Sequence, residues 1–342
     1  MTEIRAETEE RVYEWEQMEI GHDAPVLTKE ITQELVTNFA SSVQDESPVY
    51  SDGNAARAEG FAGIIAPPSM LFQIAPMRRL DIMHARGYIS PEEKKVNPRA
   101  TPFTGADINF LSVPIKLGDV ITSVSRIANR WESRSGNRFV SFGITAHNPS
   151  GQKVLDYYYT VLWEYSKGQK ARPTDAAAVP RPTRPERPNG ALIGSHTSFA
   201  EINSGDTLPG LDNYVTQDLI DDYFHLNSGG GEVSPTALLH VDPKFAESTV
   251  FSGTTQGGPH AVAYMIRMLS AGLGLKRLMN GTTFTERALE PVRPGDDISY
   301  LATVLDKREE NDRKIVEFEI TGTNQLGQTT AAAKAVVNWD LV

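Results

Sequence analysis

Apolar and polar residues alternate over long stretches near the carboxyl end of the chain. Val316, Phe318 and Ile320, for example, are each separated by one polar residue. A period of two is typical of a β-strand with one buried face, because successive side chains of a strand point to opposite sides. Four such runs, separated by polar turns, span residues 281–289, 297–308, 313–323 and 328–339. We predict that they form an antiparallel sheet.

A helical pattern precedes these strands. Over residues 259–275, apolar residues recur at positions i, i+3, i+4, i+7 and i+11: Val262, Met265, Ile266, Leu269 and Leu273. Most other positions of this stretch are also apolar, and a helix that is apolar nearly all round must be enclosed. Residues 69–84 form a second stretch of this kind. The pattern therefore predicts antiparallel sheet wrapped around long buried helices.

Two shorter segments, residues 29–39 and 217–226, carry apolar residues at helical spacing. Thr28 and Thr216 precede them, and a threonine in this position can accept a hydrogen bond from the first turn of a helix. We predict a short helix in each segment, followed by an irregular stretch that contains glycine and proline.

These elements occur twice in the same order. Gly118 and Gly295 stand 177 positions apart, and Trp163 and Trp339 stand 176 positions apart. Such constant spacing indicates a duplicated unit, each copy within the usual size of a compact domain. The period is too long for a solenoid, which stacks many short repeats. We therefore interpret the chain as two related units fused in tandem.

A proline-rich segment separates the two units. Residues 168–188 contain five prolines among basic and small residues, a composition that favours an extended linker rather than a packed element. We place the N-terminal unit at residues 1–166, the linker at 167–192 and the C-terminal unit at 193–342.

Composition limits the class of protein. The chain has 342 residues, 39% of them hydrophobic, which is enough for a large core. No apolar run approaches the roughly 18 residues of a membrane helix, and the N-terminus lacks the apolar segment of a signal peptide. The absence of cysteine excludes disulfides and thiolate metal sites. A net charge of −11 argues against a nucleic-acid partner. We expect a cytoplasmic protein without a metal ion or a membrane partner.

The two copies contain several short sequences of note: Asp45-Glu-Ser-Pro48, Tyr50, Gly60-Phe-Ala-Gly63, Glu232-Val-Ser-Pro235, His240-Val-Asp242 and Phe251-Ser-Gly253. These sequences resemble the MaoC-like dehydratases, also called the R-specific enoyl-CoA hydratase family, and the resemblance covers nearly the whole chain. The resemblance implies an α+β double hotdog fold, in which each unit is an antiparallel sheet wrapped around a long central helix. It also implies a hydro-lyase that adds water to a trans-2-enoyl thioester of CoA.

The resemblance implies catalytic roles for three residues of the second copy. His240 matches the motif histidine, which holds water together with an acidic residue. Glu232 stands where the family has aspartate, and it is either that acid or a surface glutamate of a glycine-rich loop. Ser234 stands at the motif asparagine and would position water or substrate. Between Pro235 and His240 the chain has three more residues than the family motif.

The start of the long helix in the second copy is the expected oxyanion site. Gln256, Gly257 and Gly258 lie there, and unpaired N–H groups at a helix start can stabilise a developing negative charge. The two glycines would let the backbone approach a ligand closely.

The first copy has Asp45, but Tyr50 replaces the histidine. We therefore expect one working site in each chain, with a degenerate first copy that binds substrate through Asp45 and Tyr50 and accepts the acyl group in the freed space.

The predicted function is reversible hydration of an enoyl-CoA without metal or redox cofactor. The duplication suggests a branched, bulky or dicarboxylic acyl group such as mesaconyl. Lys276, Arg277 and Arg287 are candidates for binding the CoA phosphates. A hotdog acyl-CoA thioesterase and a non-catalytic acyl-CoA-binding subunit are the alternatives. Hotdog pairs commonly associate, so we also expect a homodimer or a higher homo-oligomer.

Overall fold

The computed structural model describes residues 11–166, 190–226 and 232–340, and its strands form one antiparallel sheet. The strands are β1 (Leu27–Glu30), β2 (Phe103–Asn109), β3 (Val120–Glu132), β4 (Arg138–His147), β5 (Lys153–Glu164), β6 (Leu211–Tyr214), β7 (Thr283–Ala288), β8 (Asp297–Glu310), β9 (Arg313–Asn324) and β10 (Thr329–Asn338). Their order in the sheet is β1-β3-β4-β5-β2-β7-β10-β9-β8-β6. The two copies of the repeat therefore contribute adjoining halves of the sheet.

The four strands predicted near the carboxyl end are confirmed as β7 to β10. The halves join where β2 pairs with β7, with Ala106 opposite Glu286. Gly105 is required at this junction, because a Cβ atom there would lie 2.4 Å from the carbonyl oxygen of Glu286. The absence of a side chain thus lets the two central strands approach each other closely.

The helices lie against this sheet. They are α1 (Gln33–Ser42), α2 (Gly53–Ala58), α3 (Leu71–Ile74), α4 (Arg79–His84), α5 (Gln217–His225), α6 (Leu238–Val241), α7 (Pro243–Glu247), α8 (Gly258–Leu273) and α9 (Leu275–Met279). Most residues of α8 are buried, which confirms the enclosed helix predicted from its apolar pattern. It ends before Gly274, which has a φ of +79°. Residues other than glycine rarely adopt this backbone conformation.

The long helix predicted over residues 69–84 is wrong. The structure has two short helices, α3 and α4, separated by an irregular turn. Pro76 explains the break, since proline has no N–H to donate and pushes the residue before it out of the helical region. Ala75 accordingly has φ −128° and ψ 75°. Met77 and Arg79 follow this turn.

The short helix predicted over residues 29–39 is displaced in the structure. Residues Leu27–Glu30 form the edge strand β1, and α1 begins after Thr32, whose side chain accepts a hydrogen bond from the Leu35 N–H. In the second copy the cap at Thr216 is confirmed, but the edge strand β6 before it was missed. Both edge strands have four residues, too few to show a period of two.

The predicted linker at residues 167–192 lies almost entirely outside the described residues. The division into units at 1–166 and 193–342 therefore stays a prediction. Within the described ranges, no helix is both long and apolar enough to cross a membrane.

Candidate active site

A cleft lies between the two halves of the molecule near the start of α8. Its wider part, the outer cleft, has a volume of about 560 Å³, and Glu232 and Ser234 belong to its wall. A smaller space of about 70 Å³, the inner chamber, contains His240 and Glu92 in its wall. The two spaces adjoin, because they share six lining residues: Met77, Arg79, Tyr159, Phe224, Thr236 and Pro259. Both copies of the repeat therefore build the site.

His240 is held in a fixed orientation in the inner chamber. It lies on α6, and its Nδ1 is 2.8 Å from the carbonyl oxygen of Thr255. A carbonyl oxygen only accepts, so Nδ1 carries the proton of the neutral ring and Nε2 keeps its lone pair. The ring also stacks on Phe224, with 4.3 Å between ring centroids. These contacts leave Nε2 as an acceptor for a small molecule in the chamber.

The surroundings keep His240 neutral. Burial lowers its pKa from 6.5 to about 4, the Thr255 carbonyl opposes this shift, and the positive charge of Arg79 adds to it. An uncharged imidazole at neutral pH can accept a hydrogen bond from water through Nε2. It is also a weaker base than an exposed histidine.

The structure separates Glu232 and Ser234 from His240. Both are exposed, and neither belongs to the wall of the inner chamber. Among the described residues, no hydrogen bond or ion pair joins Glu232 to His240. The chain between them forms the 3-10 helix Pro235–Ala237 and then α6, so the three additional residues of this loop are folded into helical turns. Ser234 caps the first of these turns through the Thr236 N–H.

The predicted oxyanion residues are present at the start of α8, but they are covered. A Cβ atom on Gly257 would lie 2.4 Å from the ring of Phe224, and one on Gly258 would lie 1.8 Å from the ring of Phe103. In this structure the two glycines make room for these aromatic rings, and their role at an oxyanion site stays a prediction. Gln256 is buried, and its side-chain amide has no partner among the described residues.

Asp45 and Tyr50 lie apart from the cleft. Tyr50 is 3% exposed and packs in the hydrophobic core. Burial and the neighbouring charge of Asp45 raise the pKa of the Tyr50 phenol. Burial also raises the pKa of Asp45, which accepts a hydrogen bond from the Ser47 N–H at 3.2 Å. Neither residue belongs to the wall of the outer cleft or inner chamber.

The three candidates for the CoA phosphates also lie elsewhere. Arg277 is buried, donates to the Ser195 carbonyl at 2.8 Å and lies over the ring of Trp339. Arg287 pairs with Asp107 at 3.3 Å. Lys276 belongs to a separate pocket near the far end of α8. None of the three belongs to the wall of the cleft or chamber.

Sequence reasoning missed a buried group of charged and polar residues from the first copy. Glu92 Oε1 accepts hydrogen bonds from Arg79 Nη2 at 2.6 Å and from the Thr101 N–H at 3.0 Å. Arg79, Glu92 and Thr101 are each 5% exposed or less, and all three belong to the wall of the inner chamber. No motif marks them, because Glu92 lies in an ordinary charged segment that only the tertiary fold buries.

A second histidine lies deeper in the core. His260, in the first turn of α8, stacks between Tyr223 and Tyr264, and its Nε2 is 3.1 Å from the Ser42 carbonyl oxygen. Burial is the main reason that its pKa falls from 6.5 to about 3. This histidine is therefore neutral in the folded protein and protonates when the chain unfolds in mild acid.

The two buried histidines predict a loss of stability in mild acid. Their pKa values lie below the ordinary value of 6.5, so the unfolded chain binds more protons as the pH falls below 6.5. The stability they contribute is present above pH 6.5 and is lost as the pH falls towards 4. For His260 alone, we expect a change on the order of a few kcal/mol. Thermal melts at about pH 7 and about pH 4.5 should show a smaller drop in Tm for His260→Phe than for the unaltered protein.

The control is His147→Phe, because His147 is exposed at the end of β4. This variant should keep the original drop in Tm. An unchanged drop in His260→Phe would show that the buried ring does not govern the acid sensitivity.

Comparison with other proteins relates the first half of the chain to dehydratases. Residues 18–157 match the family described as "FAS1-like, dehydratase domain region". A UPF0336 protein of Streptomyces avermitilis is 29% identical over 131 residues, which cover 38% of this chain and 82% of that protein. The 3-oxo-4,17-pregnadiene-20-carboxyl-CoA hydratase alpha subunit of Mycobacterium tuberculosis is 33% identical over 79 residues, 23% of each protein.

Solved structures share the fold of the whole chain. A MaoC-like dehydratase superposes with a TM-score of 0.67 at 16% sequence identity, over 93% of this chain and 98% of that one. Rv0216 of Mycobacterium tuberculosis, which has a double hotdog fold, gives a TM-score of 0.57 at 13% identity, over 95% and 98% of the two chains. The predicted α+β double hotdog fold is confirmed.

The resemblance drawn from the sequence agrees with both comparisons. The sequence match lies in the first half, whereas the fold match spans both. The chain therefore has a double hotdog fold, which it shares with a MaoC-like dehydratase, and residues 18–157 match a FAS1-like dehydratase region.

Proposed function

We propose that this protein catalyses the reversible hydration of a trans-2-enoyl-CoA to a 3-hydroxyacyl-CoA. The observation that carries the proposal is the neutral, oriented imidazole of His240, in a chamber that adjoins a cleft large enough for an acyl group. A volume of about 560 Å³ lies within the usual range for small-molecule sites. The match of residues 18–157 to a dehydratase region supports the same reaction class.

In the proposed reaction, water enters the inner chamber and donates a hydrogen bond to His240 Nε2. The water oxygen bonds to the substrate Cβ, and the electrons of the double bond move onto the thioester oxygen to form an enolate. One water proton passes to an acceptor in the chamber and then to the substrate Cα. The hydroxyl group therefore ends on Cβ, and the enzyme returns to its starting protonation state.

The enolate oxygen needs hydrogen-bond donors. The N–H groups of Gly257 and Gly258 at the start of α8 are the donors that we propose, since a helix start carries unpaired N–H groups and a positive dipole end. In this structure the rings of Phe103 and Phe224 pack against both glycines. Binding of the thioester would therefore require these rings to turn aside.

The acyl group of the substrate is proposed to be branched or bulky. The outer cleft is wide, and the similar alpha subunit from Mycobacterium tuberculosis is named for a hydratase of a large, polycyclic acyl-CoA. Dicarboxylic groups such as mesaconyl remain within the proposal. Glu232 and Ser234 would meet the substrate at the rim of the cleft.

The chemistry needs only proton transfers and one new C–O bond, so we propose that no cofactor takes part. We also propose that the protein acts as a homo-oligomer in the cytoplasm.

The test uses the purified protein and a panel of straight, branched, polycyclic and dicarboxylic enoyl-CoAs. Hydration removes the conjugation between the double bond and the thioester, so the ultraviolet absorbance of that chromophore should fall while no free thiol appears. Release of free CoA would instead identify a thioesterase. Tight binding of the panel without turnover would identify an acyl-CoA-binding subunit. Either of these results would contradict the proposal.

A further inference from the structure

We propose that Glu92, from the first copy of the repeat, is the acid that works with His240 of the second copy. This inference rests on the proposed hydration reaction. It assigns to Glu92 the role that the sequence pattern gave to Glu232. One catalytic pair would then be formed from both halves of the chain.

Of the two oxygen atoms of the Glu92 carboxylate, one accepts hydrogen bonds and the other does not. Oε1 accepts from Arg79 Nη2 and from both the N–H and the hydroxyl of Thr101. Oε2 is buried and has no hydrogen-bond partner among the described residues. A buried acceptor without a partner costs about 1–3 kcal/mol, and more when it carries charge. Such an atom in the wall of a functional chamber needs an explanation.

Water in the inner chamber would provide the missing partner. Glu92 and His240 both belong to the wall of this space, whose volume of about 70 Å³ exceeds that needed for one water. Glu92 Oε2 and His240 Nε2 are both acceptors, and a water molecule has two hydrogens to donate. If each acceptor takes one hydrogen, the oxygen lone pairs are left for the substrate Cβ.

The proton transfers of the reaction can then be assigned. As the water oxygen bonds to Cβ, its proton moves to Glu92 Oε2 and the double-bond electrons move to the thioester oxygen. The protonated Glu92 next gives this proton to the substrate Cα, which restores both the thioester carbonyl and the carboxylate. His240 holds the second hydrogen throughout, and Arg79 balances the charge of Glu92.

Contacts between the two halves keep the pair together. The 3-10 helix Pro91–Glu93, which carries Glu92, packs against the 3-10 helix Pro235–Ala237, which precedes α6. Ala100 belongs to a small buried cluster with Leu239 and Ala246 of the second copy. The loop with Glu92 is therefore fixed against the helix with His240, and the geometry of the pair does not depend on an exposed side chain.

The first test compares three variants of the protein, each with one glutamate replaced by glutamine. In Glu92→Gln, an amide N–H donor can replace the acceptor Oε2, so we expect kcat for hydration to fall about 100-fold with KM nearly unchanged. Glu232→Gln tests the alternative acid, and it should lower kcat much less than Glu92→Gln does if Glu92 is the acid. Glu93→Gln is the matched control, because Glu93 neighbours Glu92 but contacts His84 near the surface at 2.9 Å.

Each outcome separates this inference from the proposed function. Hydration by the unaltered protein, together with less than about a threefold loss in Glu92→Gln, would overturn the role of Glu92 and leave the hydratase proposal intact. A large loss of kcat in Glu232→Gln alone would identify Glu232, at the rim of the cleft, as the acid. Absence of hydration in the unaltered protein with every enoyl-CoA would overturn both proposals.

A second measurement covers the case in which Glu92→Gln does not fold. In a crystal structure of the unaltered protein with a 3-hydroxyacyl-CoA, the β-hydroxyl group should donate its hydrogen to His240 Nε2 at about 3.2 Å or less, and Glu92 Oε2 should face the substrate Cα without protein atoms between them. A hydroxyl group that contacts His240 but is separated from Glu92 by protein atoms would contradict the inference.

Discussion

Replacement of His240 by alanine should lower kcat for enoyl-CoA hydration by about 100-fold, which is the order of loss expected when a reacting group is misplaced. The variant loses the Nε2 acceptor that orients water. Binding of a saturated acyl-CoA should change little, because the outer cleft keeps its wall. Steady-state kinetics with the best enoyl-CoA of the panel, together with calorimetric binding of its saturated analogue, measure the two effects separately.

His196→Ala is the matched control for this variant. His196 is exposed and belongs to neither part of the site, so its loss should leave kcat within about twofold, as for most surface substitutions. A His240→Ala protein that folds normally and keeps more than a fifth of the original kcat would contradict the role of His240 in catalysis.

Replacement of Arg79 by methionine should lower the free energy of unfolding by about 3–5 kcal/mol, the usual effect of removing one partner from a buried ion pair. Arg79 and Glu92 have side chains that are only 4% and 2% exposed, with 2.6 Å between Nη2 and Oε1. The variant leaves the carboxylate of Glu92 buried without its counter-charge. Urea-induced unfolding followed by circular dichroism gives the change directly.

Two further variants make this result interpretable. Arg79→Met combined with Glu92→Leu removes both charges, and replacing a buried pair by apolar groups is often neutral, so much of the lost stability should return. Arg308→Met should leave the midpoint nearly unchanged, because Asp306 and Glu310 meet Arg308 on the surface and its third partner, Glu317, keeps an ion pair with Lys334. A single Arg79→Met variant as stable as the original protein would show that the pair contributes nothing to the fold.

The double variant also links stability with the proposed chemistry. It should fold, yet it lacks the carboxylate that we assign to proton transfer, so hydration should remain as low as in Glu92→Gln. A protein that is stable but inactive would separate the structural role of the ion pair from the catalytic role of Glu92.

The local pattern of the sequence determined much of the architecture. Alternation over residues 313–323 predicted β9 because one face of that strand packs in the core and the other meets water. The apolar stretch after Pro259 predicted α8 because an enclosed helix needs apolar residues all round. The constant spacing between repeats indicated two copies of one unit. The motif around His240 identified the histidine that the structure places in the inner chamber.

One local signal was overlooked, because Pro76 divides the helix predicted over residues 69–84 although apolar residues continue on both sides of the break. Other features depended on contacts between distant residues. The glycines at the start of α8 were interpreted as room for a ligand. Only the packed rings of Phe103 and Phe224 reveal what occupies that room.

The sequence by itself determined the duplicated α+β units, the enclosed helix and the histidine, because each leaves a periodic pattern or a motif along the chain. Only the tertiary structure placed a buried acid, Glu92, in the wall of the same chamber as that histidine. Arg79, Glu92 and Thr101 are far from His240 in sequence, and they converge on one chamber because the first copy packs against the second. No short-range pattern in the sequence predicts that these side chains meet, because their contacts form only when the fold buries them together.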